Sequence, residues 1–190
     1  MNTKDNRRSR ATKSHIEAVF LSLLKKQDIN KISIQELCRR SEINRSTFYA
    51  HYKDVYDLFD CMEREMSKHT VDIFYDTETG TYKDFNTERY VELFEYIRDH
   101  RDFYQIYLSD AGRNHTINLH ITEYGQRMLG PVLERSSMWE RRILEYNIAY
   151  LNAGVNAIIR HWLKEDCIET PEELVEIMGT VNRISLFWET

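Results

Sequence analysis

Along most of this chain apolar residues recur at intervals of three and four, the repeat of a helix with one buried face, and that rhythm limits the fold more than any other feature. Ile16, Val19, Phe20, Leu23 and Leu24 show it near the N-terminus. Leu144, Ile148, Leu151, Val155, Ile158 and Trp162 show it in strict alternation of fours and threes, and Leu174, Ile177, Val181, Ile184 and Trp188 continue it after a break at Thr170-Pro171. Only two prolines, Pro131 and Pro171, and six glycines punctuate 190 residues, so few positions force the turns that a sheet protein needs. The expected fold class is all-α.

Several function classes fall away on composition. The three cysteines, Cys38, Cys61 and Cys167, are odd in number and widely spaced, without the C-x-x-C pair of a metal or dithiol site, which suits a reducing compartment. His115 and His120 are five apart and do not share a helix face, so no metal site is expected. The N-terminus is polar and no run of 18 apolar residues occurs, so the expectation is a soluble, cytoplasmic protein that does not enter membranes. There is no Gly-rich phosphate loop, no H-E-x-x-H and no G-x-S-x-G, so neither an enzyme nor a cofactor is expected.

The formal charge of −5 conceals a division along the chain. Residues 1–53 carry 12 Lys/Arg against 5 Asp/Glu, a net +7, and residues 54–190 carry 14 against 26, a net −12. A basic head precedes an acidic body. Clustered Lys and Arg supply most sequence-independent affinity for DNA, so the local charge of the head matters more than the overall balance.

Within the head, the first helix is expected from Thr12 to about Lys26, with Lys4, Arg7, Arg8, Arg10 and Lys13 in an unpacked arm before or at its start that reaches toward a minor groove or serves as a solubilising tail. Ser33-Ile34-Gln35-Glu36 fits a capping box, opening a short second helix with Ile34, Leu37 and Cys38 on its apolar face. Asn44 is a good cap for a third helix, Arg45 to about Tyr52. Two short helices after a longer one form the layout of a helix-turn-helix, whose second element enters the major groove. Phe48 and Tyr52 face inward with Ile43, which turns Arg45, Ser46 and Tyr49 outward. Arg45 suits guanine N7 and O6, Ser46 and Thr47 suit base edges or phosphates, Tyr49 a thymine methyl or a phosphate, and His51 and Lys53 lie where phosphates would run.

The run from Ile34 to Leu58 resembles the DNA-binding signature of the tetracycline-repressor (TetR) family, most specifically in Thr47-Phe48-Tyr49-Ala50-His51-Tyr52. The likeness covers about residues 10–60. It implies that Ser33, Asn44, Arg45, Ser46, Thr47, Tyr49, His51 and Lys53 face double-stranded DNA. Two positions depart from the pattern. Ser41-Glu42 replaces the usual Ala-Gly of the turn, at roughly 1 kcal/mol if Glu42 is left-handed. Val55 stands where a Lys often opens the fourth helix, leaving its phosphate contact to Lys53.

The expected division is a DNA-binding domain at residues 1–53 and an effector-binding and dimerisation domain at 54–190. Asp54 caps the connecting helix, Val55 to Ile73; Tyr75–Phe85 reads as a loop; helices follow from Asn86 or Thr87, through Phe103–Leu108, and over 116–135 with Ile117, Ile121, Tyr124, Met128 and Leu129 inward. Tyr90, Phe94, Tyr104, Tyr107, Tyr124, Met128, Tyr146, Tyr150 and His161 are the residue types that line an apolar effector cavity, and equally those of an ordinary core. The paired seams Leu144 to Trp162 and Leu174 to Trp188 suit a four-helix homodimer interface, or else the core of one chain. The body also resembles the C-terminal module of some Firmicute-type family members, including regulators of dihydroxyacetone kinase operons, which implies that a partner protein as well as a small molecule can supply the input. The expected function is a dimeric repressor that reads a palindromic operator and is released by an effector; the alternative is a protein-interaction co-regulator of the same fold.

Overall fold

A computed structural model of the chain describes residues 3–76, 79, 81–83, 86–109 and 137–185. The fold is all-α. Its packing divides it into two compact units, Met1–Lys68 and His69–Thr190, with the division inside one helix rather than at the 53/54 junction read from the sequence.

In the first unit, α1 spans Thr3–Leu24 and buries Ile16, Phe20 and Leu23. It starts earlier than the apolar repeat: the basic residues expected to form an unstructured arm continue the helix, with Arg7, Arg8 and Arg10 exposed. The physical reason is that extending a helix already nucleated by packing costs little per residue, and Arg, Lys and Ala are strong helix formers. Lys25 and Lys26 fall just beyond its end, and a 3-10 turn at Ile29–Lys31 leads onward.

Two short helices follow. α2, Ile34–Arg40, is capped by the Ser33 hydroxyl, which accepts from the Glu36 amide at 3.1 Å. The reciprocal half of the expected capping box is replaced by an ion pair, Glu36 Oε1 to Arg40 Nη2 at 2.8 Å, one turn along the same helix. α3, Arg45–Tyr49, is shorter than the sequence suggested, because Ala50 already caps its C-terminus. Between them Glu42 takes the left-handed conformation, φ 52°, that the missing glycine would have adopted freely. α4, Val55–Phe74, begins where Asp54 Oδ1 accepts from the Tyr56 and Asp57 amides. Its first half buries Val55, Leu58 and Met62, and Phe59 meets the Phe20 ring edge-on at 6.5 Å.

The second unit takes the end of α4 and the remaining helices. The expected loop after α4 contains a small antiparallel ladder, β1 (Tyr75–Asp76) with β2 (Thr81–Tyr82), pairing Tyr75 with Tyr82. α5, Thr87–Asp99, opens on an Asn86 cap, and α6, Arg101–Tyr107, follows after His100. α7, Met138–Lys164, starts with a full capping box between Ser137 and Glu140, and α8, Pro171–Ser185, with the reciprocal pair Thr170 and Glu173 around a proline at its first position. α5 packs on α8 and α6 on α7. Leu93, Phe94, Ile97, Phe103, Ile159, Trp162, Leu163 and Leu174 are buried here, with Phe94 and Trp162 edge-on at 6.1 Å. Gln105 donates to the Leu163 carbonyl at 2.8 Å and the Trp162 indole to that of Glu169 at 2.9 Å, so the polar atoms of this core are paired. The helix expected over 116–135 lies outside the described residues.

One polar tie in the first unit reaches the end of the short-helix pair. Tyr52, 3% exposed, donates its hydroxyl to Glu17 Oε1 on α1 at 2.9 Å, and Lys13 lies between Glu17, at 3.7 Å, and Glu65 of α4. Burial lifts the Glu17 carboxyl above its usual range, against the Tyr52 hydrogen bond and Lys13, which lower it. A raised carboxyl contributes stability in full below its unfolded value near 4.5 and loses it as pH rises through the folded value. Urea midpoints of the wild type should therefore decline relative to Glu17→Gln once pH exceeds 4.5; parallel curves would show that burial does not govern this group.

Candidate nucleic-acid interface

α3 has five residues, too few to hold itself together, and its geometry comes from its two ends. At the N-terminus Asn44 Oδ1 accepts three hydrogen bonds: from the Thr47 amide at 2.7 Å, the Ser46 hydroxyl at 2.7 Å and the Thr47 hydroxyl at 2.8 Å. Inside, Phe48 is 0% exposed and its ring meets that of Tyr52 at 5.8 Å. With Phe48 fixed inward, helical geometry turns the flanking positions to solvent. Arg45 and Ser46 are exposed, and Tyr49 is 56% exposed with its ring edge-on to Phe48 at 5.7 Å.

The other residues singled out in the sequence surround this edge unequally. Ser33, Asn44 and Lys53 are exposed, while Thr47 and His51 are half-buried. The capping bonds fix what Asn44, Ser46 and Thr47 have left to offer. Both hydroxyl hydrogens are held by Asn44, so Ser46 and Thr47 face outward mainly as acceptors and Asn44 donates only through its amide nitrogen. The Lys53 amide is held by Asp57 at 2.9 Å, which fixes the backbone from which the Lys53 side chain extends. Two further exposed residues of the first unit, Gln35 and Tyr56, were not singled out. Gln35, in the first turn of α2, accepts from Arg45 Nη2 at 3.5 Å, and Tyr56, in the first turn of α4, is 44% exposed. The signal for both was available in outline: each stands two residues after a helix cap, Ser33 or Asp54, and so at an exposed helix N-terminus.

The expected effector-cavity residues do not share one environment. Phe94, Tyr104 and Tyr107 are buried and Tyr90 is half-buried; Phe74 and Phe94 meet Tyr90, Trp162 meets Phe94 and Phe103 meets Tyr104 and Tyr107, in edge-on, tilted or stacked contacts at 5.3 to 6.3 Å. Burial pushes the Tyr104 hydroxyl up to about 12 although Thr70 hydrogen-bonds to it. Tyr146, Tyr150 and His161 are exposed on α7, and Tyr124 and Met128 lie outside the described residues. The two apolar seams are divided as well. Trp162 and Leu174 are buried within the chain itself, at 1% and 2% exposure, because their ends of α7 and α8 pack on α5 and α6. Leu151, Ile177 and Val181 are exposed at 39%, 39% and 41%, and Val155 and Ile158 are half-buried. Leu144, Ile148 and Ile184 lie on these helices without described side chains, and Trp188 lies outside the described residues. A second apolar row on α7, Trp139, Ile143, Tyr146 and Tyr150, is also exposed.

Among the described residues no helix is long and apolar enough to cross a membrane, and no group of His, Cys, Asp or Glu could hold a metal ion. The cysteines are free.

Comparison with known proteins joins the two halves of the chain. Residues 87–183 match the TetR-type family model described as a transcriptional regulator C-terminal region, and that span is just over half of the 190 residues. YxbF of Bacillus subtilis (strain 168), described as an uncharacterized HTH-type transcriptional regulator, is 23% identical over 183 residues, which are 94% of this chain and 47% of YxbF. The chain thus spans about half the length of that relative. Among solved structures, the dihydroxyacetone kinase operon activator DhaS matches with a TM-score of 0.54, covering 90% of this chain and 93% of its own at 17% identity, a likeness of fold. A capped, outward-facing α3 at one end and a matching regulatory region at the other lead to one conclusion: the chain belongs to the TetR family of DNA-binding transcriptional regulators.

Proposed function

We propose that the chain works as a homodimeric repressor that seats α3 in the major groove of a palindromic operator. The observation that carries this reading is the exposed edge of α3, with Arg45, Ser46 and Tyr49 outward from a helix fixed by Asn44 and Phe48. Arg45 reads guanine, Ser46, Thr47 and Tyr49 serve base edges or nearby phosphates, and Ser33, Asn44, His51 and Lys53 hold the backbone. The excess of Lys and Arg in residues 1–53 supplies the sequence-independent attraction.

Dimerisation is assigned to the exposed parts of α7 and α8, including Leu151, Ile177 and Val181. A two-fold copy would set two α3 helices about 34 Å apart, one turn of DNA, which is why the operator is expected to be palindromic. Release by an effector acting on the acidic body requires that the effector bind the DNA-free arrangement more tightly.

A second reading makes a partner protein the input. The exposed apolar side chains of α7 favour it over a small molecule, as does the use of Phe94, Tyr104 and Tyr107 as tightly stacked core. Sedimentation of the purified chain separates the occupants: a self-dimer at micromolar concentration assigns the α7 and α8 faces to a second copy, and a monomer leaves them for another protein.

Three variants test the DNA reading on an operator selected from a random duplex pool. Arg45→Ala should weaken operator binding by about 1 to 3 kcal/mol and relax preference at one base pair. Lys53→Ala should weaken all sequences alike and lower the salt dependence by about one unit of slope. Asn44→Ala should lower unfolding stability by about 1 kcal/mol through loss of the cap and reduce operator affinity with it. Unchanged affinity and selectivity in Arg45→Ala would place base reading elsewhere.

A further inference from the structure

Arg45 is the only cation on α3, and it is exposed. Its Nη2 donates to Gln35 Oε1 at 3.5 Å, from α3 across to the first turn of α2. The same approach is felt on α2: burial pushes the Cys38 thiol up, and the Arg45 charge opposes that rise. α2 is itself fixed at this end by the Ser33 cap, which sets the backbone from which Gln35 extends.

The chemistry of the pair suits a positioning role. A guanidinium has five donors in a rigid fork, and one bond to Gln35 leaves the remainder for the paired acceptors of a guanine. Holding the fork before DNA arrives reduces the freedom lost on binding. A neutral amide also leaves the full positive charge for the duplex, whereas a carboxylate at the same place would neutralise it. The neighbouring acid, Glu36, is turned away to Arg40 at 2.8 Å.

We propose that Gln35 is a specificity-determining residue that acts through Arg45, holding its guanidinium in the orientation that reads one base pair. This rests on the reading of α3 as the base-contacting helix. The experiment measures affinity for the selected operator, and for operators changed at each base pair, with the full chain as wild type, Gln35→Ala, Arg45→Ala, the double variant and Gln35→Glu. Gln35 is exposed, and alanine is the stronger helix former, so Gln35→Ala should keep the wild-type urea midpoint.

The expected result is a loss of about 3- to 10-fold in Gln35→Ala, the range of one hydrogen bond, with preference relaxed at the same base pair as in Arg45→Ala. The double variant should be no weaker than Arg45→Ala alone, and Gln35→Glu should lose more than Gln35→Ala. Additive losses, relaxation at a different base pair, or no loss in Gln35→Ala would each overturn the inference while leaving α3 as the reader. No effect in Arg45→Ala would remove the reading of α3 and this inference together.

Discussion

The hydrogen bonds gathered on Asn44 Oδ1 are the constraint on which the exposed surface of α3 depends. A helix of five residues has almost no internal ladder to hold it, so its direction is set by what grips its ends. Asn44 takes the Thr47 amide and the hydroxyls of Ser46 and Thr47, while Phe48 fills the core beneath. These two anchors leave one rotational setting for α3, and that setting exposes Arg45, Ser46 and Tyr49. The same bonds decide the chemistry presented there, since hydroxyls that have donated to Asn44 are left as acceptors.

The rest of the first unit serves that helix. Phe48 and Tyr52 are buried, and the Tyr52 to Glu17 hydrogen bond ties the end of the pair to α1. A tyrosine rather than a phenylalanine at this position gives the half-buried Glu17 carboxyl a partner, and Lys13 supplies the opposite charge. The basic N-terminal residues, continuous with α1, inherit its direction. Positive charge that would otherwise be spread along a loose tail is thereby arrayed along a helix.

In the second unit the aromatic residues explain why composition is a poor guide to a binding cavity. Phe94 packs against Trp162 and Phe103 against Tyr104 and Tyr107, while Tyr146 and Tyr150, of the same residue types, are exposed on α7. A tyrosine satisfies either environment because it has an apolar body and a polar tip. The seams show a similar limit. Their three-four spacing identified helical faces, but Trp162 and Leu174 turned out to belong to the chain's own core and Leu151, Ile177 and Val181 to its surface. Spacing reports that a face is apolar and is silent about which neighbour covers it.

Local rules written in consecutive residues were legible from the sequence: the helical class, the caps Ser33, Asn44 and Asp54, the inward Phe48 and Tyr52, and the left-handed Glu42. Each depends on interactions within a few positions, where backbone geometry leaves little choice. The tertiary structure decided what lies far apart in sequence: the reach of Tyr52 to Glu17, the approach of Arg45 to Gln35, the helical course of the basic residues, and the division of two similar seams between core and surface. Those outcomes depend on which helices meet and at what angle, and a one-dimensional pattern fixes the apolar face of a helix without fixing its neighbour.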